Sequence, residues 1–125
     1  MAAGTVTVTE SGSGTVKKVV FAWTAGTSAE AGTASGSTTK PYDGEILGLT
    51  TIPGTATEQP DDNYGVTVTD SGSHDVLLGA GASRDETNTE HVTRASLAAV
   101  ASSILTVNIT AAGASTTGTV IVYIR

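Results

Sequence analysis

Ser73, His74 and Asp75 are the three residue types of a hydrolytic triad, set side by side in the chain. Such catalysis needs a nucleophile, a base and an orienting carboxylate that converge from separate segments to within about 3 Å. Immediate neighbours cannot converge in that way, so the run reads as a turn. No G-x-S-x-G nucleophile elbow occurs elsewhere in the chain. Gly79-Ala80-Gly81-Ala82-Ser83 has the glycine content of a phosphate-cradling loop, but it lacks the following Lys and the βαβ setting that such a loop requires. It reads as a flexible connection.

Metal chemistry fares no better. Asp61, Asp62, Asp70 and Asp75 are hard oxygen donors suited to calcium, yet their spacing matches no calcium-loop pattern. Acidic residues beside turns ordinarily cap and solvate those turns. His74 and His91 are the only histidines and cysteine is absent, so a zinc site would need carboxylates to complete its ligand set. Asn108-Ile109-Thr110 is a glycosylation sequon by pattern, but it falls inside an apparent strand and no signal peptide precedes it. No acid, base and nucleophile can be assembled. The chain is expected to be no enzyme and to carry no cofactor and no metal.

The elements that would position these residues are strands. Leu, Ile, Val and Phe together make 26 of the 125 residues, a lean but sufficient core. Thr and Val favour pleated, half-buried surfaces, and 15 glycines punctuate the runs as turns do. The net charge of −6 disfavours a nucleic-acid surface, which demands Lys and Arg clusters. No apolar run approaches the roughly 18 residues of a membrane span. Absence of cysteine excludes a disulfide framework and suits a reducing compartment.

Thr5-Val6-Thr7-Val8-Thr9-Glu10 alternates as a half-buried strand does, and Ser11-Gly12-Ser13-Gly14 turns the chain. Val16 to Trp23 is a second strand with Val19, Phe21 and Trp23 on one face and Lys18, Val20 and Ala22 on the other. Residues 24–39 are Thr, Ala, Gly and Ser with one charge, Glu30, and read as a long flexible loop. Lys40-Pro41-Tyr42-Asp43-Gly44 is a turn signature before a strand over 45–52. Tyr64, Val66 and Val68 face the core from another strand, Ser71-Gly72-Ser73 turns a hairpin, and 75–78 begins its return. A polar segment, 82–94, follows. Residues 95–104 space Leu97, Val100 and Ile104 as a helix would, so a short helix and a strand-crossing loop both fit. Strands over 105–110 and 120–125 close the chain. The pattern predicts an all-β fold: one antiparallel β-sandwich or jelly-roll-like domain over 1–125, with seven or eight strands and at most one short helix.

Certain segments carry a family resemblance. They are Val19-Val20-Phe21-Ala22-Trp23, Tyr42-Asp43-Gly44-Glu45-Ile46-Leu47, 62–70 (Asp-Asn-Tyr-Gly-Val-Thr-Val-Thr-Asp), 75–82 and Gly118-Thr119-Val120-Ile121-Val122-Tyr123-Ile124-Arg125. In this order they resemble small structural proteins of tailed bacteriophages, found among head and tail components. The resemblance covers most of the chain from Val16 onward. It implies a virion protein, assembled in the host cytoplasm, that decorates the capsid or serves as a neck or minor tail component. Its implied partners are the major capsid or other virion proteins and further copies of itself. A lean core with apolar strand faces left over agrees with stability completed by assembly. The residues expected at such an interface are Trp23, Tyr42, Ile121, Tyr123 and Arg125. Trp23 has a competing role as core filling. The bases Lys17, Lys18, Lys40, Arg84, Arg94 and Arg125 are either solvated or pair with acidic groups of a neighbour. The alternative function is a tail-tip or fibre-associated module that binds a receptor or carbohydrate, which would need exposed aromatic platforms.

Overall fold

The computed structural model describes residues 4–13, 15–27, 32–93, 97 and 99–125. Glu30, Arg94, the amino-terminal Met1-Ala2-Ala3, Gly14 of the first turn, and parts of the 24–39 and 95–104 segments lie outside these described residues. Nine strands are formed among the described residues: β1 (Thr5–Ser13), β2 (Val16–Thr24), β3 (Ala34–Ser37), β4 (Tyr42–Pro53), β5 (Gly65–Thr69), β6 (Glu90–Thr93), β7 (Ala99–Ser103), β8 (Thr106–Thr110) and β9 (Thr117–Ile124). A single 3-10 turn, Ala56–Glu58, is the only helical element described.

The strands make two antiparallel sheets. The larger runs β1-β2-β9-β4-β6, with β7 also paired to β4, and the smaller runs β3-β8-β5. Sequence alternation explains which side each strand buries. Val19, Phe21 and Trp23 of β2, Val120, Val122 and Ile124 of β9, Val66 and Val68 of β5, and Val107 and Ile109 of β8 are all buried. They meet in one apolar cluster between the sheets, which Leu49, Leu77 and Leu105 complete. Each such aliphatic side chain contributes about 1.5–3 kcal/mol by leaving water, so ten or more outweigh the weak local preferences of the connecting loops. The all-β sandwich expected from the alternation is the fold that forms.

Several connections are more ordered than their composition suggests. The 24–39 segment is not one loose loop. The Ala25 amide donates to the Thr116 carbonyl at 2.8 Å, and β3 pairs with β8 from Ala34↔Ile109 to Ser37↔Thr106. Backbone pairing needs no large side chains, and here small ones are required. A Cβ at Gly36 would stand 2.6 Å from Cβ of Val6, so glycine lets β3 lie against β1. Thr38 then locks the strand's end: its hydroxyl accepts from the Leu105 amide at 3.1 Å and donates to the Lys40 carbonyl at 2.9 Å.

Residues 95–104 form neither helix nor crossing loop where they are described. Ala99–Ser103 is a strand on β4, with Ser103 opposite Tyr42 and Ala99 opposite Glu45. The pairing groups of β4 override the helical preference of alanine, which is worth only tenths of a kcal/mol per residue. For the same reason β4 begins at Tyr42, inside the expected turn. The polar segment 82–94 contains β6, whose Val92 packs on the core opposite Leu49. The expected return strand at 75–78 begins, with Asp75 bridged antiparallel to Thr69 and the Val76 amide donating to the Val68 carbonyl at 2.8 Å, but gives way at once to a turn. The Asp75 carboxylate accepts from the amides of Leu77 and Val68 through one oxygen and from Gly79 through the other, capturing amides that a ladder would have used.

The packing is close where β2 meets β9. Gly118 is paired with Trp23, and a Cβ on Gly118 would stand 2.7 Å from Cε2 of the indole. Gly118→Ala is expected to destabilise the fold by about 1–3 kcal/mol, the usual cost of overpacking. The urea-unfolding midpoint checks this, and an unchanged midpoint would show that the indole has room to move.

Candidate functional site

Trp23 and Tyr42 are interior residues, 1% and 3% exposed. Trp23 fills the core beside Tyr64, with ring centroids 5.6 Å apart. Tyr42 lies at the start of β4 and donates its hydroxyl hydrogen to Glu10 Oε1 at 2.9 Å. Glu10 also accepts from the Thr39 amide and, through a short contact, from the Thr39 hydroxyl, so it clamps β1 to the turn before β4. Lys40 covers the Tyr42 ring at 5.7 Å. Burial works to raise the Glu10 pKa, but the Thr39 and Tyr42 hydrogen bonds and the Lys40 charge outweigh it and hold the carboxyl below its ordinary value. Desolvation, followed by the bond to Glu10 and its charge, drives the Tyr42 phenol upward.

The remaining three expected interface residues, Ile121, Tyr123 and Arg125, do come together. Val120, Val122 and Ile124 of β9 are buried, which turns Ile121 and Tyr123 to the outer side of the large sheet, where both are half-buried. Arg125 follows, exposed; its amide donates to the Glu45 carbonyl at 2.9 Å and its carbonyl accepts from the Glu45 amide at 3.0 Å.

Strand register extends this face well beyond those residues. Ile121 is flanked by Val20 on β2 and Thr50 on β4, with Thr9 and His91 completing the row. Tyr123 is flanked by Lys18 and Gly48, and Thr119 by Ala22 and Ile52. Val20 and Ile52 are half-buried, and Val16, at 41% exposure, stands at the start of β2. Sequence reading missed Val20, Ile52 and Thr119 as parts of one surface. Alternation told which side each residue takes, but only the β2-β9-β4 order makes them neighbours.

At one end of the face is an open groove of about 330 Å³, lined by Thr5, Thr7, Thr24, Thr117 and Thr119 with Ile52 beside them. Toward the other end stand Lys18 and Arg125. Within the chain, Lys17 donates to the Asp43 carbonyl at 3.1 Å and Arg84 pairs with Glu90 at 3.5 Å. Lys18 and Arg125 have no acidic partner among the described residues.

The remaining chemistry-bearing residues serve turns. Asp70 accepts from the amides of Gly72 and His74, and the His74 imidazole lies 3.4 Å from Asp70 rather than near Asp75. Ser73, His74 and Asp75 therefore share no hydrogen bond that would make a relay. Asp85 accepts from the amides of Thr87 and Asn88, which hold its carboxyl at about 2. His91 Nδ1 sits 2.9 Å from the Thr50 hydroxyl. Gly81 lies under the Val66 amide, whose hydrogen its carbonyl accepts at 2.9 Å, so the 79–83 run seals the free side of β5. Among the described residues no three His, Cys, Asp or Glu side chains gather around a common point, and no helix is long and apolar enough to cross a membrane. Comparison with protein families, with curated proteins and with solved structures finds no match.

The Glu10 clamp has a defined pH signature. A carboxyl held low in the folded chain contributes stability above its unfolded pKa and loses it as pH falls through the folded one. Tyr42→Phe removes one donor, so Glu10 is expected to titrate nearer its ordinary 4.5. The acid loss of stability, which sets in at the unchanged unfolded pKa, should then be smaller and end at higher pH. A carboxyl-carbon NMR titration reads this directly; a Glu10 curve that does not move would show that Thr39 and Lys40 set the shift without Tyr42.

Proposed function

We propose that this chain is a structural subunit of a tailed-bacteriophage particle, a head decoration or other minor capsid protein. It binds major capsid or other virion proteins, and further copies of itself, through the outer face of its large sheet. The observation that carries the reading is the composition of that face. Val20, Ile121, Ile52 and Tyr123 lie in adjoining register rows, half-buried, beside two bases without an acidic partner among the described residues. Aliphatic and aromatic side chains supply the desolvated centre that interfaces need, and Lys18 and Arg125 supply charge for acidic groups on the neighbour. The phage resemblance of the strand segments says which kind of assembly this would be.

The glycan-binding alternative draws less support. Its sites favour exposed aromatic platforms, and Phe21, Trp23, Tyr42 and Tyr64 are all buried, leaving Tyr123 as the one aromatic ring partly open to solvent.

Two measurements test the proposal. Mass spectrometry of purified virions is expected to find the chain in stoichiometric amounts, and its absence from them would end the idea. Ile121→Glu is expected to leave the β-type circular dichroism spectrum intact and to cost no more than about 1 kcal/mol of stability, as outward-facing substitutions usually do. The same variant should no longer co-sediment with particles. Undiminished co-sedimentation would move the interface off this face.

A further inference from the structure

Among the described residues, three interior polar atoms have no hydrogen-bond partner: the Trp23 indole Nε1, Thr51 Oγ1 and the Tyr64 hydroxyl. Their residues are 1%, 1% and 0% exposed, so none reaches bulk solvent. Buried donors and acceptors are almost always bonded, because leaving one unmade forfeits its hydration with nothing in return.

The three belong to one locality. The Trp23 and Tyr64 rings are 5.6 Å apart and tilted by 50°. The Cζ2–Cε2 edge of the indole's six-membered ring lies over Gly118: a Cβ there would stand 2.7 Å from Cε2, the carbon bonded to Nε1, and closer still to Cζ2. Gly118 is paired on its far side with Pro53 of β4, and Thr51 stands two residues away on the same inner face. Tyr64 reaches the spot from the small-sheet side. Burial pushes its phenol up to about 12, and the Thr51 hydroxyl, acting as a hydrogen-bonding neighbour, draws it back. The two hydroxyls nevertheless stop short of a completed bond.

We propose that Trp23 Nε1, Thr51 Oγ1 and the Tyr64 hydroxyl together bind a single buried water molecule that bridges the two sheets. The donor inventory fits. The indole N–H can only donate, so the water oxygen accepts from it, and the water's own hydrogens go to the two hydroxyl oxygens, which take either role. Three bonds to otherwise unsatisfied groups is the usual complement of an internal water. An ion does not fit: all three groups are neutral, and a bare charge at this depth would go uncompensated. The water thereby ties β2 and β4 to the segment entering β5. It also gives Trp23 a polar role inside the chain.

A high-resolution crystal structure is expected to show a solvent peak about 2.7–3.2 Å from all three atoms. In solution, the Trp23 indole proton should give a cross-peak to a long-lived water, and oxygen-17 relaxation dispersion should fall by one such water in Thr51→Val. A map in which Thr51 and Tyr64 bond directly and Nε1 faces no solvent peak would overturn the proposal, as would a dispersion that Thr51→Val leaves unchanged. Should that variant fail to fold, the indole-to-water cross-peak of the unaltered chain decides: its presence supports the site and its absence refutes it.

Discussion

The sandwich depends on one three-way contact, in which the Trp23 indole lies across Gly118 and against the ring of Tyr64. Trp23 and Gly118 sit in the middle strands of the large sheet, and Tyr64 opens the segment that enters the small one. A chain with one tryptophan and one phenylalanine has few ways to fill the space between two sheets. It fills the widest part with its largest ring and removes the side chain beneath it. Aromatic pairs of this tilt add roughly 0.5–1.5 kcal/mol beyond the area they bury. That increment is small against the whole core. The geometric consequence matters more: the two rings meet inside the same apolar cluster in which Val66, Val68, Val107 and Ile109 are buried.

Much of this was legible in the residues, and the failures share a cause. Alternation correctly turned Val19, Phe21 and Trp23 inward and placed Tyr64, Val66 and Val68 opposite them. It failed where a strand carries only small side chains. Ala34–Ser37 carries no large apolar side chain, so nothing in its composition separates it from a loop, yet it pairs along its full length with β8. Ala99–Ser103 failed in the opposite direction, since alanine and spaced aliphatics imitate a helix until β4 offers its unpaired edge. Asp75 does start the return, bridged to Thr69, but its carboxylate gathers three amides into a turn that stops the strand there. Side-chain capture of this kind competes locally with the ladder, and the outcome is decided by geometry that no single residue announces.

The same division runs through the candidate interface. Ile121, Tyr123 and Arg125 could be chosen from sequence because β9 is apolar on both sides, which an isolated sandwich does not require. Trp23 and Tyr42 were chosen for their size, and size sent both to the interior. Val20 and Ile52 escaped notice because each stands alone in its own strand. They become neighbours of Ile121 and Thr119 only through the antiparallel register of β2, β9 and β4.

That outer face is built so that it can be wet and still be sticky. Its register rows interleave threonine with valine and isoleucine, as in Thr9-Val20-Ile121-Thr50 and Thr7-Ala22-Thr119-Ile52. β-Branched side chains suit the pleated surface and half-cover one another, and the Thr50 hydroxyl is bonded within the row to His91 Nδ1 at 2.9 Å. No row offers a continuous apolar stripe, so the free chain avoids the broad exposed patch that invites indiscriminate association. Against a complementary surface the balance reverses. The hydroxyls can bond across the contact, the methyl groups lose their remaining water, and two bases at one end fix the orientation. Under the proposed function, a surface whose apolar content is dispersed in this way would bind weakly as one copy and firmly as many, as a repeating assembly requires of its subunits.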